Sequence, residues 1–234
     1  MKRMFLRIAS LLILLALILG CCIWFWRPGT FFSTLNQGHR LGGDVIKAFP
    51  ENTLEVFRQA IEELESNEEY SYTECDVRET SDHQVALFHD WDLDRLVPDT
   101  AENRAAIGAA EINSTIVFKD LTLEQIKKLK LHNDCQIPSL EEFFSCAAEL
   151  KPSKPILLEI KLFHSPEACS QVIEMAREFR DETGLEVHFL AFIRNIKRSH
   201  PKPRQWLAEF KAAGFRVYQA YRPKTAAYDL CETW

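Results

Sequence analysis

From about Gly38 onward the chain alternates short β-rich runs with amphipathic stretches of helical period, and that alternation leaves few architectures open. Strands that follow one another through helices pair in parallel, which builds an α/β sheet or a closed barrel. Residues 72–78, 84–89, 156–161, 187–193 and 215–221 are the strand candidates, with a weaker one ending at His39-Arg40. Asn52-Thr53-Leu54-Glu55 opens the first helix in the manner of a capping box, and Leu54, Phe57, Ile61 and Leu64 give it an apolar stripe. Thr122 with Gln125, and Ser139 with Glu142, repeat that start signal before two further helical segments. With 234 residues the chain can bury a sizeable core.

One connection departs from the parallel pattern. Too few residues separate 78 from 84 for a parallel crossover, so 72–89 should form a β-hairpin turning around Asp82-His83. A turn centred between those two residues sets Asp76 opposite His89.

The N-terminus carries Lys2, Arg3 and Arg7, then an apolar run over 8–26 that ends at Arg27-Pro28-Gly29. That run is long enough to span a bilayer, and the preceding positive charge keeps the N-terminus inside. Residues 1–27 are thus expected as a signal anchor or transmembrane helix, and 34–234 as a catalytic domain on the periplasmic or extracellular side. A cleaved signal peptide, or a lipoprotein signal with Cys21 as the lipidated residue, competes with the retained anchor. The apolar extension Ile23-Trp24-Phe25-Trp26 favours the anchor. A net charge of -6 and a pI near 5.7 give no general attraction to nucleic acid, so any phosphate must meet a local site. The cysteines beyond the segment, Cys75, Cys135, Cys146, Cys169 and Cys231, show no zinc spacing and read as small core residues.

Strand alternation sends Glu74 and Asp76 to one side and Cys75 to the other. Paired carboxylates are costly in a buried sheet unless a cation or protons neutralise them, although a solvent-facing strand would also carry them. Glu159 and Lys161 share a face in the same way, at a position that suits either the active rim of a barrel or an edge-strand ion pair. A third carboxylate beside Glu74 and Asp76 would complete an oxygen-rich site for one divalent cation, Ca²⁺ or Mg²⁺, and Lys161 could bind a phosphate oxygen. Gly38-His39-Arg40 supplies an imidazole beside a guanidinium able to grip phosphate, and His89-Asp90 supplies a second imidazole. Phosphodiester cleavage needs a base for the nucleophile and an acid for the leaving alkoxide, and two histidines around one metal suffice. His83, His132, His164, His188 and His200 read as structural, His83 as a turn residue.

These stretches fall in an order that resembles the glycerophosphodiester phosphodiesterase family. Gly38-His39-Arg40, Pro50-Glu51-Asn52-Thr53-Leu54, Glu74-Cys75-Asp76-Val77 with Thr80 and Asp82, and His89-Asp90 with Leu93-Asp94-Arg95 match its motifs. Asp120-Leu121-Thr122, Ile137-Pro138-Ser139-Leu140-Glu141-Glu142 and Glu159-Ile160-Lys161 continue the series. The resemblance implies a TIM-type (β/α) barrel and a hydrolase of lipid metabolism that converts glycerophosphodiesters to glycerol phosphate and an alcohol. It implies Glu74, Asp76 and Glu159 as metal ligands, His39 and His89 as the acid-base pair, and Arg40 and Lys161 on the phosphate. Glu51 and Asn52 fall where the family has residues at or beside the metal, and Asn52 is also a natural helix cap.

The chain departs from the family pattern at Leu41, where glycine usually follows His-Arg, and beyond Lys161, where too little sequence remains for eight strands. A barrel shortened or incomplete at its C-terminus is expected, with no recognisable last strand before Trp234. Two other functions stay open at this stage. One is a lysophospholipase D-like phosphodiesterase acting on lysophospholipids, and the other a non-catalytic membrane-anchored barrel that binds phosphodiesters.

Overall fold

Strands β1 (Thr73–Glu79), β2 (Val85–Leu87), β3 (Ile156–Ile160), β4 (Val187–Phe192), β5 (Val217–Tyr221) and β6 (Asp229–Glu232) form one sheet in the computed structural model. The structure describes residues 36–192, 205–221 and 229–232. The segment 1–27, with its expected membrane helix, lies outside them, as do His200 and the end of the 187–193 run. Among the described residues no helix is long and apolar enough to cross a membrane. The sheet order is β2-β1-β3-β4-β5-β6, with β1, β3, β4 and β5 parallel and an antiparallel strand at each edge. This is the expected α/β architecture, and among the described residues its two edges do not pair to close a barrel. A final strand does exist. β6 runs antiparallel to β5, where the sequence offers no recognisable strand signal.

Helices α1 (Leu54–Glu63), α2 (Ala101–Ile107), α3 (Leu123–Lys128), α4 (Leu140–Leu150), α5 (Pro166–Thr183) and α6 (Gln205–Ala212) accompany the sheet. One sheet face is apolar: Cys75, Val77, Ile156, Leu158 and Ile160 bury against Phe57, Phe143 and Phe179 in the main core. Each fully buried phenylalanine there contributes about 1.5–3 kcal/mol. The other face holds a small apolar layer of Tyr72, Leu157, Leu190 and Tyr218, and beyond it along the same strands come Glu74, Asp76 and Glu159. Period-two alternation thus puts helices on one side and chemistry on the other. A further cluster around Phe88, Phe118, Leu129 and Ile137 supports the long excursion between β2 and α4. Cys75, Cys135, Cys146 and Cys169 are buried free thiols.

The capping boxes at Thr122 and Ser139 form in full. At α1 the cap is Thr53, whose hydroxyl accepts from Val56 N, and not Asn52, whose side chain is committed elsewhere. The buried stripe of α1 is also rotated from expectation: Val56, Phe57 and Ala60 are fully buried, whereas Leu54 and Ile61 are only partly so.

The hairpin is present, with its register one residue from expectation. Val77 pairs with Leu87 and Glu79 with Val85, and Phe88 N donates to Asp76 O, so Asp76 faces Phe88 and not His89. Thr80 N donates to Gln84 O, leaving a three-residue loop, Ser81-Asp82-His83, closed by His83 at φ 59°. A type I turn followed by one left-handed residue is a favoured three-residue hairpin connection, and its odd length centres the turn on Asp82 alone.

The weak strand expected before His39-Arg40 is replaced by a 3₁₀ turn over His39–Gly42, with Arg40 and Leu41 in the left-handed region at φ 51° and 60°. The residues just before it lie along the side of β1 away from β3. Asn36 Nδ2 donates to Tyr72 O, Asn36 Oδ1 accepts from Ser71 N and Tyr72 N, and Glu74 N donates to Gly38 O. The approach requires glycine: a Cβ at Gly38 would stand 2.0 Å from Tyr72 O.

Candidate active site

The parallel register of β1 and β3 sets Asp76 beside Glu159, and the pleat adds Glu74 to the same face. Carboxylate oxygens of Glu74, Asp76 and Glu159 lie within 4.8 Å of one another, with all three residues buried. Lys161 Nζ, also buried, stands 2.6 Å from Glu159 Oε1 and 2.7 Å from Asp76 Oδ1. Asn52 braces Asp76 from the other side, its Nδ2 donating to Oδ2 at 2.7 Å while its Oδ1 accepts from Asp76 N. Asn52 can do this because it adopts φ 58°, which asparagine tolerates.

Glu74 is the unbalanced member. Its Oε2 accepts from Arg40 N at 2.7 Å, but its buried Oε1 has no hydrogen-bond partner. Burial and then the neighbouring Asp76 push its carboxyl up to about 8. Burial also opposes ionisation of Asp76, yet Lys161, His89 and Arg40 together hold it well below the usual carboxylate range. Three buried carboxylates, all oxygen donors, with one oxygen unpartnered, fit a hard divalent cation.

The two imidazoles are held alike. His39 Nδ1 lies 2.6 Å from Asp44 Oδ2, and its Nε2 lies 3.8 Å from Glu74 Oε2. Burial works against a charge on His39, but Glu74, the Asp44 hydrogen bond and Asp76 raise it to about 9. His89 Nδ1 lies 2.6 Å from Asp90 Oδ1, and His89 is near enough to Asp76 to act on its ionisation despite the shifted register. With each Nδ1–H donating to a carboxylate, each Nε2 is left for chemistry. Arg78, on the inner face of β1, donates through Nε and one terminal nitrogen to the His89 carbonyl and fixes that backbone.

Glu51 stands outside the carboxylate trio. Arg40 donates from one terminal nitrogen to both Glu51 oxygens at 3.0 Å, and its Nε lies 3.8 Å from Asp76 Oδ2. Arg95 also reaches Glu51. The structure thus gathers every residue expected at the site and adds Asp44, Asp90, Arg78 and Arg95, to which sequence reasoning gave no role. Asp90 and Arg95 stood within quoted motifs, and Arg78 continues the alternation of Glu74 and Asp76. Asp44 carries no periodic signal. His83 closes the hairpin and bonds Glu79, as a turn residue should.

The sequence model of the Glycerophosphoryl diester phosphodiesterase family matches residues 45–186, more than half of the chain. A crystal structure of a candidate glycerophosphodiester phosphodiesterase from Galdieria sulphuraria is 24% identical with a TM-score of 0.56, covering 81% of this chain and 66% of that one. The glycerophosphodiester phosphodiesterase from Agrobacterium tumefaciens is 20% identical, with a TM-score of 0.51 and coverage of 76% and 63%. A candidate glycerophosphoryl diester phosphodiesterase from Silicibacter pomeroyi is 19% identical, with a TM-score of 0.52 and coverage of 80% and 62%. These likenesses concern the fold, and the chain spans slightly less than two thirds of the length of each. No match is found among curated proteins. On the extent of the family match, the chain belongs to the glycerophosphoryl diester phosphodiesterase family.

Proposed function

We propose that this chain hydrolyses glycerophosphodiesters to glycerol phosphate and an alcohol and depends on a divalent cation for doing so. The observation that carries the reading is the buried trio Glu74, Asp76 and Glu159, with its unpartnered oxygen, set between two carboxylate-oriented imidazoles. The trio would hold the cation, Ca²⁺ or Mg²⁺, which when bound supplies charge neutralisation and Lewis acidity at a phosphoryl oxygen. Arg40 and Lys161 both reach Asp76, so a diester drawn to the trio meets two cationic side chains at once. Their charge opposes the negative charge that builds on the phosphoryl oxygens in the transition state. His39 and His89 form the acid-base pair. Through Nε2 one accepts the proton of the attacking oxygen and the other returns a proton to the leaving alkoxide. Asn52 keeps the Asp76 carboxylate from rotating.

The apolar run over 8–26, with Lys2, Arg3 and Arg7 before it, supports tethering of the domain on the non-cytoplasmic side of a membrane. A second substrate reading rests on the two large exposed apolar residues among those described, Val45 and Trp91. Each directly follows an aspartate that orients a histidine, Asp44 or Asp90, which favours a lysophospholipid whose chain would lie against them.

The purified chain should be offered glycerophosphocholine, glycerophosphoethanolamine and lysophosphatidylcholine, with excess EDTA or with added Ca²⁺ or Mg²⁺. Ion-dependent release of choline or ethanolamine with glycerol phosphate supports the primary reading, and lysophosphatidic acid supports the second. No release from any diester under any ion, or full turnover in EDTA, overturns the proposal.

A further inference from the structure

Arg95 lies on the loop that follows His89, and its hydrogen bonds go to two carboxylates that hold proposed site residues. Its Nε donates to Asp90 Oδ2 at 2.5 Å, while the other Asp90 oxygen lies 2.6 Å from His89 Nδ1. Its two terminal nitrogens donate to Glu51 at 2.6 and 3.0 Å, and Glu51 in turn accepts from Arg40. The two arms come from distant parts of the chain, Glu51 and Arg95 being 44 positions apart. No strand pairing joins the Arg40–Glu51 loop to the His89–Arg95 loop among the described residues. The guanidinium is the group suited to such a bridge. It is planar, always charged, and has enough fixed donors to serve two carboxylates at once, whereas an ammonium is a point charge without that fork.

Resting on the proposed function, we infer that Arg95 is a positioning residue that couples the orientation of His89, through Asp90, to that of Arg40, through Glu51. The imidazole and the phosphate-facing guanidinium are then held at a fixed spacing over Asp76 although no strand pairing joins their loops among the described residues. Loss of the bridge leaves Asp90 and Glu51 each with its inner partner but free to rotate toward water. The cost falls on alignment of the reacting groups and not on cation binding, because Arg95 bonds none of Glu74, Asp76 and Glu159.

The test compares the parent with Arg95→Ala and Arg95→Lys by kcat and KM on glycerophosphocholine, Ca²⁺ or Mg²⁺ affinity, thermal unfolding, and ¹⁵N NMR of the His89 ring. Misalignment of this kind can cost about 10²-fold, so both variants should lose roughly that much in kcat/KM. Ion affinity and unfolding temperature should stay near the parent's, and the His89 ring should pass from a fixed Nδ1–H tautomer to an averaged one. Near-parent kcat/KM in Arg95→Ala, full recovery in Arg95→Lys, or a loss matched by unfolding overturns the inference. If the parent itself cleaves no diester, the proposed function falls alone. The NMR comparison then still decides the bridge, since an unchanged His89 tautomer in both variants refutes it.

Discussion

Glu74 and Glu79 lie on the same strand, on opposite faces of the sheet, and both are buried, yet their surroundings differ in kind. Glu79 sits before the first turn of α5, where Ser165 Oγ donates to it at 2.5 Å, Ser165 N at 3.1 Å, and His164 N also donates. His83 Nδ1 completes the set at 2.7 Å. Every lone pair has a use, and the positive end of the helix favours the charge. Glu74 has one oxygen served by a backbone amide, the other bare, and a second carboxylate as neighbour. Burial of a charge therefore does not identify a site here. An unmet coordination demand does.

The strongest way to break this contrast is to neutralise each glutamate in turn. Glu74→Gln or Asp76→Asn should abolish divalent binding and lower turnover by about 10³-fold or more, exceeding the loss of a single electrostatic donor. Glu74→Gln should not unfold the ion-free protein, because it relieves repulsion with Asp76, whereas Asp76→Asn also gives up the buried Lys161 ion pair and should cost stability. Glu79→Gln should keep cation affinity and turnover per folded molecule. Calorimetric titration with Ca²⁺ or Mg²⁺ alongside rate measurements checks all three, and loss of cation binding in Glu79→Gln would collapse the distinction.

A somewhat smaller effect separates ligation from proton transfer within the site itself. His39→Ala and His89→Ala should each reduce turnover by about 10²- to 10⁴-fold while leaving cation affinity largely intact. Because both act in one proton-transfer sequence, the double variant should fall little below the worse single one. If His89→Ala retained near-parent turnover, or lost it only by unfolding, its acid-base role would be withdrawn.

Stability should show the reverse ranking. Glu79→Ala strands the donors at the start of α5 and should cost about 3 kcal/mol in ion-free urea unfolding. Glu74→Ala under the same conditions should cost clearly less. Equal losses would mean that Glu74 is held by more than its one hydrogen bond from Arg40 N.

The smallest expected effect is the pH dependence of the ion-free protein. Glu74 is raised from 4.5 to about 8, so between those values the folded state holds a proton that the unfolded state has released. Stability therefore falls as pH rises through that window. His39, raised from 6.5 to about 9, acts in the same sense: its contribution is complete below 6.5 and is lost as pH rises through about 9. Unfolding temperature in EDTA should thus decline from about pH 6.5 toward pH 9, above the range in which the lowered His164 and His188 act in the opposite sense, with the decline reduced in Glu74→Gln and retained in Glu79→Gln. A flat or rising profile for the parent would contradict the charge balance described for the trio.

Much of this site was legible in the sequence because strand alternation is a local rule. Glu74 with Asp76, and Glu159 with Lys161, needed only a period of two to reach a common face. The hairpin too was legible from its short connection, but its register depended on whether the loop held an even or odd number of residues. His83 settled that through a left-handed backbone angle that its neighbours in sequence do not announce. Asn52 was legible as a cap because it precedes a helix. The competing demand, two hydrogen bonds to Asp76, arises only once β1 is in place. Asp44 was silent for the same reason, and Arg95, although inside a quoted motif, gave no sign of its partners. Their partners His39 and Glu51 meet them through loop geometry, which has no period to read.

The segment 36–38 laid along β1 has a consequence for how this domain could fail. Its backbone and the Asn36 amide occupy donors and acceptors of β1 that β2 does not reach, and the same stretch of chain delivers His39. Exposed strand edges recruit other chains, and proteins shield them by covering the edge with a helix or loop, among other devices. Here the shield and the proposed catalytic arm are one piece of chain. Damage at Gly38 or Asn36 should therefore appear as an insoluble protein as well as a slow enzyme, and screening for soluble expression would enrich for an intact 36–38 segment, the support of His39, without any substrate being present.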